Sequence, residues 1–387
     1  MSTSAKSPAP DTGLAADLRQ RIRDRGTIGF DEFMAAALYD PRGGYYATSA
    51  ARVGKHGDFF TSVSVGPVFG RLLAAQFAAM WEQLGRPDDF TLVEQGAADG
   101  QLMADILRAL DAEHHGFRPR AVIIEPLAIL RAAQEQTLHP WRGRLTHIDR
   151  EGLLPPFTGV LFANELLDAF PVRLLVKDGS QWLERRVTLD GNRFVFTDET
   201  VQSGTVPPAV RALPLPPDAR SFQIEFRPDL ERWMQTVAPE LQRGWMLLMD
   251  YGHAESARCE PHRGGGTLAA YSNHHRLDDP LASPGSADLT AHVDFTAVAR
   301  AGMDSGLVLA GYTDQHHALA ALAAQVFPGM RSAALSPEEA REMRALRQLL
   351  HPESMGIAFK FLALARGTDT TPAAFAMAGD AHKALFS

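Results

Sequence analysis

The run Phe90-Thr91-Leu92-Val93-Glu94-Gln95 passes directly into Gly96-Ala97-Ala98-Asp99-Gly100, and Leu102, Met103, Ile106 and Leu107 then repeat at helical spacing. An apolar strand, a glycine-bounded turn and a helix N-terminus form the unit by which doubly wound α/β folds hold nucleotide-like cofactors. Gly96 permits a sharp turn and close approach of a ligand to the backbone. Glu94 falls where the strand ends, so its carboxylate can face a bound cation. The spacing Glu-x-Gly-x-x-x-Gly suits a cofactor that carries an ammonium group, which points to S-adenosylmethionine. A dinucleotide fingerprint needs Gly-x-Gly-x-x-Gly, and Ala98 stands where the middle glycine belongs. An NAD-dependent oxidoreductase is therefore disfavoured. Glycine turns after strands are also common in ordinary structure, so the neighbouring strands decide.

Those neighbours repeat the pattern. Ala121 to Glu125, Leu145 to Ile148, Gly159 to Ala163 and Gly244 to Gly252 read as strands separated by helical segments. That alternation predicts βαβ units and a mostly parallel, doubly wound sheet. Ligands in such sheets bind at the carboxyl ends of the strands. Here those ends carry Glu94, Glu125, Asn164-Glu165 and Asp250. Unpartnered carboxylates on one edge would repel each other, so a row of them implies a ligand. Glu125 is placed to accept hydrogen bonds from the two ribose hydroxyls of an adenosine, although an acid there also favours the following helix. Asp149, after the third strand, is a candidate for the adenine amino group. Gly96, Asp99, Gly100 and Asn164 complete the cofactor candidates in the core.

Outside the core the patterns change. Residues 1–13 read as a disordered tail and 14–89 as a helical region. That region carries a loop, Val53 to Thr61, whose glycines, charges and aromatics suit a ligand-facing role; Gly57, Asp58 and Thr61 are its cofactor candidates. Residues 90–171 form the first part of the α/β core. An antiparallel β insertion and proline-rich connector follow at 172–221, signalled by Asp178-Gly179 and Asp190-Gly191. Residues 222–387 complete the core, with a long loop at 253–290. Pro67 to Leu84, Pro228 to Val237, Val298 to Gly306 and Asp314 to Val326 read as helices, and Phe361 to Ala365 as a last strand.

Composition excludes other classes. The net charge of −8, from 38 basic and 46 acidic residues, gives no basic surface for nucleic acid. No apolar run reaches the length of a membrane span. One cysteine, Cys259, forbids internal disulfides and, with no signal peptide in evidence, suggests a cytoplasmic protein. The histidines show no zinc-like spacing, and no metal is expected.

Asp40-Pro41-Arg42-Gly43-Gly44-Tyr45-Tyr46, Gly57-Asp58-Phe59-Phe60-Thr61, Phe162 to Val172, Asp250-Tyr251-Gly252 and Pro284 to Phe295 together resemble the MidA-like family of S-adenosylmethionine-dependent methyltransferases. The resemblance spans roughly residues 14–365. It implies a class I methyltransferase fold and a protein acceptor, plausibly arginine, because the family includes a mitochondrial arginine methyltransferase that assembles complex I. The family's usual Gly-Pro-Gly-Arg-Gly is Gly96-Ala97-Ala98-Asp99-Gly100 here, and Ser62-Val63-Ser64-Val65 replaces its Pro-Glu-Ile. The altered glycine loop motivates a second reading, an inactive binding module or assembly factor. On the acceptor side, Glu165 and Asp168 could fix a guanidinium by paired carboxylates, or serve as helix cap and solvated acid. His292 could accept a proton or be structural. Exposed β edges could support a homodimer.

Overall fold

The computed structural model describes residues 13–48, 62–216, 220–272, 275–328 and 336–387. Its centre is a seven-membered run of strands: β1 (Phe90–Gln95), β2 (Arg120–Ile124), β3 (Leu145–Ile148), β4 (Phe157–Asn164), β5 (Leu241–His253), β6 (Val308–Asp314) and β7 (Phe359–Arg366). They lie in the order β3-β2-β1-β4-β5-β7-β6. All are parallel except β7, which runs antiparallel to β5 and β6.

The inner strands β1, β2, β4, β5 and β7 are buried on both faces along most of their length, which explains their apolar runs, whereas the edge strands β3 and β6 are largely half-buried. Successive side chains of a strand point to opposite faces. Accordingly Val160 and Phe162 of β4 and Trp245 and Leu247 of β5 join the core under the helices Val68–Gln83, Gln101–Glu113 and Gln315–Val326. Leu161, Ala163, Met246 and Leu248 join the opposite core, under Leu230–Val237 and Phe295–Asp304. Two of the core helices are capped by aspartate: in Phe295–Asp304 Asp294 accepts from Ala297 N, and in Gln315–Val326 Asp314 accepts from His317 N.

Strands β1, β4 and β5 approach one another at Gly159, which has φ +147° and pairs with both Thr91 and Gly244. A Cβ there would sit 2.1 Å from the Thr91 carbonyl oxygen. Gly159→Ala is expected to destabilise the fold by about 3 kcal/mol or more through strain and lost pairing. A shift of the urea midpoint measures this; an unchanged midpoint would show that the sheet can relax around a methyl group.

The insertion is the antiparallel sheet anticipated. Arg173–Asp178, Gln181–Asp190 and Arg193–Val201 form successive hairpins at the two Asp-Gly turns. Two further pieces join it. Phe222–Phe226 pairs with Arg173–Asp178, and Ile28–Gly29 pairs with Val187 and Arg186. The helix that follows Ile28–Gly29 begins at Phe30. Phe30 and Phe33 pack on Phe196 and Phe194, which fastens the N-terminal helices to the insertion.

The long loop 253–290 is not structureless. Ala269–Ser272 pairs with His275–Arg276 and with Asp288–Thr290 in a small antiparallel sheet. Among the described residues, no helix is long and apolar enough to cross a membrane.

Candidate active site

A cavity of about 350 Å³ opens at the carboxyl ends of β1, β2 and β4. Its floor is the loop after β1. Gly96, Ala98 and Gly100 have φ +80°, +51° and +83°, so three positions of this turn are left-handed. Ala98 adopts the conformation a glycine would take, at a cost of about 1 kcal/mol, so the substituted loop keeps its turn. Gly96 lies against Leu166, which a side chain would crowd. Gly100 is the N-cap position of Gln101–Glu113 and has no side chain to cap it; Asp99 Oδ1 accepts from Gln101 N at 3.2 Å.

Two acids face this floor. Glu94 is 2% exposed, and its Oε2 has no hydrogen-bond partner among the described residues. Burial, with the nearby charge of Asp99, pushes its carboxyl up to about 8. Glu125 is also buried. Its Oε1 accepts from Leu127 N at 2.9 Å and its Oε2 from Gln134 Nε2 at 3.2 Å. Gln134 also donates to the Ala98 carbonyl at 2.9 Å, which ties Glu125 to the glycine turn. Burial raises the Glu125 carboxyl, and its hydrogen bonds oppose that rise.

The raised Glu94 carboxyl has a consequence for stability. An acid whose folded pKa lies above its unfolded value of 4.5 binds protons more readily when folded. Its contribution to stability is therefore lost as pH rises from about 4.5 to about 8. The ligand-free Glu94→Gln protein should gain melting temperature relative to wild type, more at pH 8 than at pH 5. An equal gain at both values would contradict the buried, protonated carboxyl.

The end of β4 supplies the opposite wall. Glu165 has φ +53°, an unusual conformation for glutamate of the kind that clusters at functional sites. Its N–H donates to the Met249 carbonyl, and Asn164 Nδ2 donates to its Oε1, both at 2.9 Å. Burial and the neighbouring Asp168 push its carboxyl up to about 8. Asp168 is buried; its Oδ2 accepts from the Tyr251 hydroxyl, and its Oδ1 has no partner among the described residues. Burial raises its carboxyl, while Tyr251 and Arg227 pull the other way. The Oδ1 of Asn164 is likewise buried without a partner among the described residues. Aromatic groups close the cavity: Tyr39, Tyr45 and Tyr46 from the N-terminal region, Phe170, and Trp233, whose Nε1 donates to Gln95 Oε1 at 2.9 Å.

Several sequence expectations meet here and others do not. Glu94, Gly96, Asp99, Glu125, Asn164, Glu165 and Asp168 all line the cavity, and Gly100 does not: it packs against Leu138 and Gln134. Asp149 does not line it: its side chain is 65% exposed and paired with Arg131, so the adenine role is withdrawn. His292 does not line it either. Its ring packs edge-on against Tyr251, with centroids 5.3 Å apart, and its Nδ1 lies 3.3 Å from His253 Nε2. Burial pushes His292 down to about 4, so it is neutral at pH 7 and serves as packing behind Tyr251. Asp250 also turns away from the ligand side. Its Oδ2 accepts from Leu167 N and Asp168 N, and its Oδ1 from Tyr251 N, so it organises the loop after β4. Gly57, Asp58 and Thr61 lie outside the described residues. Sequence reasoning missed Tyr39, Trp233, Asp288 and the contact role of Tyr251; Tyr45-Tyr46, Tyr251 and Asp288 carried a signal as parts of motifs, and Tyr39 and Trp233 carried none.

The strand order with one antiparallel strand, the left-handed turn after β1 and the acids at the strand ends define a class I methyltransferase that uses S-adenosylmethionine. The buried, unpartnered Glu94 oxygen fits such a cofactor, whose ammonium it can receive. Residues 72–313 match the family described as "Putative S-adenosyl-L-methionine-dependent methyltransferase", and the chain belongs to that family. It is 31% identical to the Drosophila melanogaster "Protein arginine methyltransferase NDUFAF7 homolog, mitochondrial", over 94% of this chain and 87% of that one. It is 28% identical to the Homo sapiens "Protein arginine methyltransferase NDUFAF7, mitochondrial", over 94% and 86%. A crystal structure of a Burkholderia thailandensis protein bound to S-adenosylhomocysteine superposes with a TM-score of 0.87 at 31% identity, covering 98% of this chain and all of that one. The fly and human relatives are named as mitochondrial, which overturns the expectation of a cytoplasmic protein.

Proposed function

We propose that this methyltransferase acts on a protein side chain, with an arginine guanidinium as acceptor. The observation that carries this is Asp168 Oδ1, buried without a partner among the described residues, in a side chain that lines the cavity wall with Glu165. A guanidinium is planar and pairs best with carboxylates. The tyrosines of the N-terminal region offer ring faces that favour a cation. The fly and human relatives named as protein arginine methyltransferases support the same acceptor.

When bound, S-adenosylmethionine supplies a methyl group on a sulfonium, an electrophile that needs an in-line nucleophile. Glu94 holds the ammonium, Glu125 the ribose hydroxyls, and the turn Gly96 to Gly100 lets the backbone approach closely. Asn164 offers a further polar contact. Glu165 and Asp168 orient the guanidinium, and one of the two carboxylates receives the proton that the attacking nitrogen must lose. Positioning of this kind supplies most of the rate in a transfer that needs little covalent help from the enzyme. The aromatic walls exclude water.

The test is incubation with methyl-labelled S-adenosylmethionine and protein from source cells lacking this gene, followed by acid hydrolysis and chromatography. Label is expected in methylarginine, and Glu165→Gln should reduce it about tenfold or more. Label in another amino acid would reject arginine. No label in protein would favour the inactive binding module.

A further inference from the structure

Tyr251 belongs to the Asp250-Tyr251-Gly252 motif. It emerges from β5 beside the loop that carries Asp168, and its hydroxyl donates to Asp168 Oδ2. Its ring is held edge-on between His292, at 5.3 Å, and Phe359, at 5.6 Å. The backbone of Asp168 is fixed at both ends: its N–H donates to Asp250 Oδ2 at 3.2 Å, and its carbonyl accepts from Ala291 N at 3.1 Å. Buried Arg227 clamps the same two segments. Its Nε donates to the Leu167 carbonyl at 2.7 Å and its Nη1 to the His292 carbonyl at 3.0 Å. One carboxylate oxygen is tied to Tyr251, which restrains the Asp168 side chain; the other is buried without a hydrogen-bond partner among the described residues, in a residue that lines the cavity.

We infer that Tyr251 is a positioning residue for methyl transfer: its hydroxyl holds the Asp168 carboxylate with Oδ1 turned to the acceptor, and His292 is the wall that fixes the tyrosine ring. This rests on the assignment of Asp168 to the acceptor. It also gives the block Asp288 to Asp294 a function, since Ala291 and His292 are the points at which that segment grips the catalytic loop.

The charges facing Asp168 set the direction of the pH effect. Asp250 and Glu165 oppose its ionisation, and Arg227 favours it. The phenols of Tyr39 and Tyr46 also face it from the N-terminal region. A hydrogen bond from Tyr251 to the charged carboxylate favours ionisation. Removing the hydroxyl therefore raises the carboxyl, and the acidic limb of the rate profile moves to higher pH.

The experiment is the initial rate of label transfer, against pH, from methyl-labelled S-adenosylmethionine to protein of source cells lacking this gene. Wild type, Tyr251→Phe, Asp168→Asn and the double variant are compared, with S-adenosylhomocysteine titration as a check on folding. Tyr251→Phe is expected to slow transfer about tenfold or more, to move the acidic limb upward and to bind S-adenosylhomocysteine as wild type does. The double variant should be no slower than Asp168→Asn within about twofold, because both changes remove one device. An unaltered rate and profile in Tyr251→Phe, beside a large loss in Asp168→Asn, would overturn the role of Tyr251 and leave the acceptor assignment standing. Losses that multiply in the double variant would also overturn it. Full transfer by Asp168→Asn, or none by wild type, would remove the acceptor assignment and the Tyr251 role with it.

Discussion

Replacing Asp168 with asparagine is expected to slow methyl transfer about a hundredfold or more, while S-adenosylhomocysteine affinity stays within about threefold of wild type. The shapes of the two side chains match, so the Tyr251 hydroxyl keeps an acceptor and the loop keeps its course. What is lost is the charge on the carboxylate whose Oδ1 has no partner among the described residues. A guanidinium then meets a neutral amide, and the transferred proton loses one of its two receivers. The separation of rate from cofactor affinity is the decisive readout. A parallel fall in both would mean that Asp168 supports the cofactor pocket, and a normal rate would remove it from the acceptor site.

Glu94→Gln should act on the other half of the cavity. It is expected to weaken S-adenosylhomocysteine about tenfold to a hundredfold, the worth of a hydrogen bond to a charged group. In the free protein the Glu94 carboxyl stands at about 8, so at pH 7 it is largely protonated. Binding an ammonium requires the carboxylate, so the proton must leave. Wild-type affinity should therefore fall as pH drops from about 8, and Glu94→Gln should lose that dependence. Equal affinity of the two proteins at pH 7 would place the ammonium elsewhere.

The core was legible where local chemistry and tertiary structure agree. Strands β1, β2, β4 and β5 carry apolar runs because both faces are buried, and the two Asp-Gly turns are hairpin signals that the insertion obeys. Acids at the strand ends could be found because a parallel sheet delivers every carboxyl end to one edge. The same reasoning misassigned Asp250. The register sets Met249 opposite Asn164, so Asp250 falls beside the loop after β4 and is consumed by its amides. Strand β6 was missed, since Val308 to Asp314 is a short segment leading directly into a helix whose cap it shares. The helix Pro337–Leu350 was missed although Ser336 and Glu339 form a capping box that the sequence displays. Of the aromatic wall, Tyr45, Tyr46 and Tyr251 were visible only as parts of motifs, and its assembly was not readable. Tyr39, Trp233 and Tyr251 lie far apart in the chain, and only the docking of the N-terminal helices on the insertion brings the first of them to the cavity.

The most direct test of the cofactor site is calorimetric titration of the purified wild-type protein at pH 7 with S-adenosylhomocysteine, in two buffers of different ionisation enthalpy, beside NADH. Binding of S-adenosylhomocysteine at one site with release of about one proton, and no heat from NADH, is the expected result. Binding of NADH, or failure of S-adenosylhomocysteine to bind, would contradict the assignment of this cavity to a sulfonium cofactor.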